Sequence, residues 1–359
     1  MRVNKKGLSF LKEYVGVSET STVLGDKLKI EVAKGKVTYS QRSKDATLIT
    51  SVSSDTAEDF SLIVQTKMFW DFINTIGDDE ELIITEKGIS LGEDKNYTFE
   101  SYDLDFPKIQ DLIDSVESLK SDTTTLAFDF KDFDKLSRCS KYMGKNSLET
   151  VGLLKDKIVG TDKVQISYAD AGVTLPSNYF LSRSAVGLIL SQKSKESVRI
   201  FLSDKFYTIT IDSTVCIFEW KSYSIPDLFE PNIFANFNQT DSIKLNKAEL
   251  LSALTRMSFF VSNNPSNRIF LTVEKDSLLI ENKDFNKSYE RIPLLEGNKD
   301  LIGATVIVVN CANVIGFVNS FSEDEILMFL NKDESKRKTV RFEDSSKTFK
   351  FVHSRLKED

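Results

Sequence analysis

Apolar residues recur at helical spacing in six short stretches of the chain and alternate with polar ones in most of the sequence between them. Leu8, Phe10, Leu11, Tyr14 and Val15 lie on one face of a helix, and so do Met68, Phe69, Phe72, Ile73 and Ile76. Phe133, Leu136, Cys139, Ser140 and Met143 form a third stripe, and Leu250, Leu251, Leu254, Met257 and Phe260 a fourth. This spacing predicts helices over residues 4–16, 66–77, 131–144, 181–192, 246–261 and 310–321. Thr66 suits the N-cap of the second helix and Gly77 its end.

Alternating or β-branched segments predict strands between these helices. In the first third of the chain they cover residues 27–32, 36–40, 60–64, 82–85, 88–91 and 97–102, with a hairpin turn at Ala33-Lys34-Gly35. The middle third gives 126–130, 150–154, 157–161, 164–168, 198–202, 207–212 and 215–220. The last third gives 242–245, 269–273, 277–281, 288–292, 304–309, 326–330, 339–342 and 349–352.

One plan therefore occurs three times: a helix bearing Lys or Arg, strands, a second helix, more strands. Domains over 1–121, 122–241 and 242–359 follow, each α+β with two helices packed on antiparallel sheets. Modules of about 120 residues are large enough to bury a core each.

Charge gives the repeat a direction. The chain carries a net −7. The six helical stretches (2–18, 66–76, 130–145, 179–195, 246–261 and 309–321) hold fifteen Lys/Arg and five acids, a net +10, which leaves −17 for the remainder. A basic helical set in an acidic protein is a focused footprint for a polyanion. The three cysteines are widely spaced, without a CxxC or Cys/His cluster, and the single histidine is His353. Disulfide frameworks, zinc sites and His-centred catalysis find no support in that set. No P-loop or glycine-rich phosphate cradle is present, so no cofactor and no enzymatic activity are expected. The basic N-terminus lacks an apolar core and cleavage site, and no apolar run approaches about 20 residues; the expected location is the cytoplasm.

The whole pattern resembles the bacterial-type β sliding clamp, the processivity factor of replicative DNA polymerase. The residues carrying the resemblance are Val23-Leu24-Gly25, Asp105-Phe106-Pro107, Ile225-Pro226-Asp227, residues 248–256 (AELLSALTR) and Ser354-Arg355-Leu356. The resemblance implies three clamp domains per chain and a ring of two chains joined head-to-tail around duplex DNA. A divergent clamp of this kind suits a bacteriophage as well as a bacterium. Such a ring should touch phosphates rather than base edges. The candidate DNA contacts are Lys5, Lys6, Lys12, Lys67, Lys131, Lys135, Arg138, Lys141, Lys145, Arg183, Lys193, Lys195, Lys247 and Arg256. The third module is the least basic, and its second helix has no cation.

The family also receives short linear peptides of polymerases and clamp loaders in a pocket between its second and third domains. Matching positions are Thr161, Asp162 and Ile166, then Pro226, Leu228 and Phe229, then Val352, His353, Ser354, Arg355 and Leu356. The chain departs from the usual pattern there: Lys163-Val164-Gln165 replaces Gly-His-Arg, and the tail reads Val-His-Ser-Arg-Leu with three further residues. For ring closure the resemblance implies Tyr97 and Phe99 against Phe259 and Phe260, four aromatics expected at exposed edges. The alternative reading is a clamp-fold interaction protein that binds replication partners without encircling DNA.

Overall fold

The computed structural model describes residues 1–18, 23–53, 58–78, 80–91, 95–99, 126–144, 149–162, 164–193, 195–203, 206–220, 240–262, 267–283, 287–303, 307–330 and 339–354, with positions 102, 104, 106 and 114. In chain order the first strands are β1 (Arg2–Asn4), β2 (Lys27–Ala33), β3 (Lys36–Arg42), β4 (Thr47–Ser53), β5 (Phe60–Gln65), β6 (Glu81–Thr85), β7 (Gly88–Leu91) and β8 (Lys95–Tyr97). Next come β9 (Leu126–Phe130), β10 (Thr150–Leu154), β11 (Lys157–Thr161), β12 (Gln165–Asp170), β13 (Asn178–Ser182), β14 (Val198–Leu202), β15 (Phe206–Ile211) and β16 (Thr214–Glu219). The last are β17 (Asp241–Asn246), β18 (Arg268–Val273), β19 (Ser277–Asn282), β20 (Ser288–Glu296), β21 (Ile307–Asn310), β22 (Glu325–Leu330), β23 (Thr339–Asp344) and β24 (Phe349–Ser354). Among the described residues the α-helices are α1 (Leu11–Val17), α2 (Thr66–Thr75), α3 (Phe133–Ser140), α4 (Arg183–Ser191), α5 (Lys247–Val261) and α6 (Cys311–Val318). The fold is α+β, with antiparallel sheets of four, eight and twelve strands.

The chain divides into two compact units. Unit 1 comprises Met1–Phe133 and Ser182–Ser222, and unit 2 comprises Asp134–Leu181 and Tyr223–Asp359. Unit 1 holds the sheet β5-β2-β3-β4-β16-β15-β14-β9 and the small sheet β1-β6-β7-β8. Leu28, Ile30 and Val32 of β2 are buried while Lys29 and Glu31 alternate with them, so the period of two turns one face to the core. Lys34 and Gly35 both take positive φ, 51° and 72°, which matches the twist of the β2–β3 hairpin. The Tyr14 hydroxyl of α1 donates to the Tyr39 carbonyl at 2.9 Å and shares a 3.0 Å hydrogen bond with Thr50. Thr50 meets Thr214 at 2.8 Å, so this buried relay locks α1 onto the β4–β16 pair.

Unit 2 holds the sheet β13-β10-β11-β12-β24-β23-β22-β17-β20-β19-β18-β21. Part of its core is an aromatic cluster around α6. Phe317 of α6 stacks on Phe351 at 3.9 Å and meets Phe321 edge-on at 4.4 Å. Gly160 allows β11 to pass under the end of α3, because a Cβ there would lie 2.0 Å from the Cys139 carbonyl oxygen.

Several local features differ from the sequence expectation. Strand β4 occupies residues where the sequence predicts no strand, and β8 ends at Tyr97, where it predicts one to start. The first helix is split into a 3₁₀ turn at Lys5–Leu8, capped by Asn4 accepting from the Gly7 amide at 2.8 Å, and α1. Residues 2–4 before it form strand β1, paired with β6. Strand β13 takes residues assigned to the fourth helix, which starts after Ser182 accepts from the Ala185 amide at 3.2 Å. Gln65 is the N-cap of α2, and Thr66 is its buried first residue.

Candidate functional site

The helices present the candidate cations very differently in the two units. In unit 1, Lys6, Lys12, Lys67, Lys131, Arg183 and Lys193 are exposed. Lys6, Lys12 and Lys131 form no ion pair among the described residues. Lys67 pairs with Asp71 one turn along α2, Lys195 with Asp212 at 2.9 Å, and Lys5 with Asp78 at 3.5 Å while donating to the Ile76 carbonyl. Helices α1 and α4 are tied side by side: the Glu13 carboxylate accepts from Gln192 Nε2 at 2.8 Å and from the Ser191 hydroxyl at 3.1 Å. Glu13 thereby spends its charge on the helix junction, and Lys12 beside it stays exposed.

In unit 2 the cations are mostly engaged. Lys135 donates to the Asp170 carbonyl at 2.7 Å, and the Arg138 guanidinium lies 5.6 Å from the centre of the Phe349 ring. Lys247 donates to the Phe321 carbonyl, and Arg256 forms a two-pronged pair with Glu290. Lys141 is exposed and forms no ion pair among the described residues. Lys145 lies outside the described residues.

Six candidate peptide-pocket residues come together where β12 meets β24. Ile166 pairs with Val352 and Gln165 with His353, and the Ser354 amide donates to the Val164 carbonyl at 2.9 Å. The Thr161 hydroxyl donates to the Gln165 carbonyl at 2.8 Å, while Asp162 Oδ1 accepts from the Val164 and Gln165 amides at 3.0 and 2.9 Å. Ile166 and Val352 share a cluster with Leu154, Val159 and Tyr168, against which Phe180 packs. Of these additional residues Tyr168 follows from alternation with Ile166 along β12, whereas Leu154, Val159 and Phe180 come from β10, β11 and β13. Pro226, Leu228, Phe229, Arg355 and Leu356 lie outside the described residues.

His353 is fully buried in this pair of strands. Its Nδ1 lies 2.6 Å from the Ser354 carbonyl and therefore carries the hydrogen. Nε2 then accepts from the Asn310 amide at 3.4 Å and faces the Asn313 side chain at 3.5 Å. Burial pushes the imidazole pKa below its ordinary value of 6.5, against smaller opposing effects of the Ser354 carbonyl and Asp162.

Three of the four aromatics expected at exposed edges are exposed, but two of them lie on a helix. Phe259 and Phe260 of α5 are 75% and 48% exposed, and Tyr97 of the edge strand β8 is 41% exposed. Phe99 departs from the expectation, being only 8% exposed because it packs edge-on against Phe69 and Phe72 at 5.8 and 5.4 Å. Among the described residues no group of His, Cys, Asp or Glu is placed to hold a metal ion. The three cysteines are free and buried, and burial raises the thiols of Cys139 and Cys311 to about 12, far from a reactive thiolate.

Solved structures match this backbone along its whole length. The DNA polymerase III subunit β of Pseudomonas aeruginosa has a TM-score of 0.80 at 14% identity, covering 100% of both chains. A sliding clamp from Bartonella birtlesii, solved bound to griselimycin, has a TM-score of 0.78 at 17% identity over 100% of this chain and 99% of that one. The DNA polymerase III β subunit of Thermotoga maritima gives 0.79 at 13% identity over the same shares. The chain has the sliding-clamp fold. No protein-family model and no curated protein matches the sequence. The likeness is thus one of backbone path at low sequence identity.

Proposed function

We propose that this chain is a DNA sliding clamp that closes head-to-tail with a second copy around duplex DNA and tethers a replicative polymerase for processive synthesis. The observation that carries the reading is the sliding-clamp fold, matched over 100% of this chain. The three domains 1–121, 122–241 and 242–359 would give six per ring. Lys6, Lys12, Lys131 and Lys141, exposed and without ion pairs among the described residues, would meet phosphates in a sequence-independent way. The β12–β24 site would take short peptides of the polymerase and of a separate loader. Such a protein acts in the cytoplasm by topology and tethering, without a cofactor and without catalysing a reaction.

Phe259, Phe260 and Tyr97 support ring closure, since exposed aromatics gain most from burial against a second copy. A second reading, partner binding without encirclement, is favoured by the engagement of Lys5, Lys67, Lys195 and Arg256 with acids. Light scattering separates the two. The ring predicts twice the chain mass of 40.7 kDa at micromolar concentration, with Phe259→Asp lowering it to one. A stable wild-type monomer would favour the second reading.

A further inference from the structure

The β12–β24 junction of unit 2 has a counterpart of similar register in unit 1. The β3–β4 connection lies between paired Arg42 and Thr47, as the β11–β12 connection lies between paired Thr161 and Ile166. Thr47 pairs across to Ile217 of β16 as Ile166 pairs across to Val352 of β24. The loops close alike: the Ser43 amide donates to the Ala46 carbonyl at 2.8 Å, and Asp162 to Gln165 at 3.3 Å. Ser43 Oγ accepts from the Ala46 amide at 3.2 Å where Asp162 Oδ1 accepts from that of Gln165. Side chains differ within this shared frame. Ala46 stands where the other loop has Gln165, whose amide folds back onto Asp162 at 2.8 Å.

Beside Ala46 lies a cavity of about 350 Å³. Phe206, Ile217, Ala46 and Trp220 supply its apolar lining, and Arg42, Lys44, Asp45 and Glu219 its charged rim. Its aromatic wall is held in place. Trp220 Nε1 donates to the Ser203 carbonyl at 2.6 Å, Tyr207 packs 4.4 Å from its ring, and Tyr207 in turn stacks on Phe218. A pocket of this size, lined by apolar and polar side chains in similar measure, suits one or two apolar side chains of an extended peptide flanked by polar ones.

We propose that this cavity is a second docking site for a short linear peptide bearing a Leu or Phe anchor. Lys44 is exposed and forms no ion pair among the described residues, so an acidic residue beside the anchor adds to the fit. The site does not depend on DNA encirclement, and its binding is measurable on the free protein.

The chain has two tryptophans, Trp70 and Trp220, so 5-fluorotryptophan labelling gives two ¹⁹F signals, assigned with Trp70→Phe. The probe is a synthetic Ser-Asp-Leu-Phe-Ser-Ser peptide, with Ser-Asp-Ser-Ser-Ser-Ser as control. The expected result is a saturable shift of the Trp220 signal alone, absent with the control and weakened at least tenfold by Ala46→Gln, which places in this loop the residue of its counterpart. Lys44→Glu, an exposed change that leaves the lining intact, should weaken binding about threefold or more. An unmoved Trp220 signal at millimolar peptide, or a shift that survives Ala46→Gln in a folded protein, would overturn the proposal. So would a shift abolished only by Asp162→Lys in the other junction.

Discussion

Unit 1 keeps three candidate lysines exposed and without ion pairs among the described residues, beside the paired Lys5, Lys67 and Lys195. Unit 2 instead engages four of its five described candidate cations. Lys6, Lys12 and Lys131 stand without ion pairs among the described residues of unit 1, while Lys135, Lys247, Arg138 and Arg256 of unit 2 hold a carbonyl, a carbonyl, a ring face and a carboxylate. A cation already paired gains somewhat less on meeting phosphate, because a pair worth about 0–1 kcal/mol at an exposed site is exchanged first. The difference teaches that a count of basic residues on helices overstates the footprint; what matters is how many have no partner of their own.

The sharpest way to break this comparison is to neutralise the two sets separately. Replacing Lys6, Lys12 and Lys131 with Gln removes three cations per chain and six per two-chain ring, so it should lower the slope of log affinity against log salt by up to about 5.4 and weaken DNA binding by at least about 10²–10³-fold near 0.1 M salt. The unit 2 pair Lys247→Gln and Arg256→Gln should cost less than about tenfold in the same titration. Equal losses from both sets would show that the ion pairs seen here open freely on DNA.

A smaller effect isolates unit 2 by pH. His353 is the only histidine, so it alone has an ordinary pKa near 6.5 among the side chains. Its folded-state pKa is lowered, so the unfolded chain takes up the proton first. Stability is therefore full above pH 6.5 and falls as pH drops below it, with a slope of at most about 1.4 kcal/mol per pH unit. Glu343 works in the opposite sense at lower pH, since burial raises its carboxyl pKa. The difference between wild type and His353→Gln in urea unfolding at pH 7.5 and 5.5 gives the histidine contribution. A constant difference across that range would contradict it.

Much of the fold was legible because burial follows period two or 3.6 through most of the chain. Strands β10, β11 and β14 lie at the residues that alternation and β-branching predict. The missed strands have physical reasons. β1 is three residues long and exists because of β6, some eighty residues later. β4 reads TLITSVS, and its first four residues are buried, so it shows no polar face to alternate with. β13 runs directly into α4, and its apolar Tyr179-Phe180-Leu181 merges with the helical stripe. For the site, sequence marked which residues are basic but not which are paired. The Arg256–Glu290 contact spans 34 positions and the Glu13–Gln192 contact 179, and nothing local announces either. The burial of Phe99 is likewise a matter of where α2 packs.

The central claim is topological, and one measurement meets it directly. The protein is loaded onto nicked circular DNA with its loader, washed in high salt, and followed before and after a single restriction cut. Encirclement predicts retention on the circle and loss within minutes of linearisation, as the ring slides off the new ends. Equal retention on circular and linear DNA would contradict it.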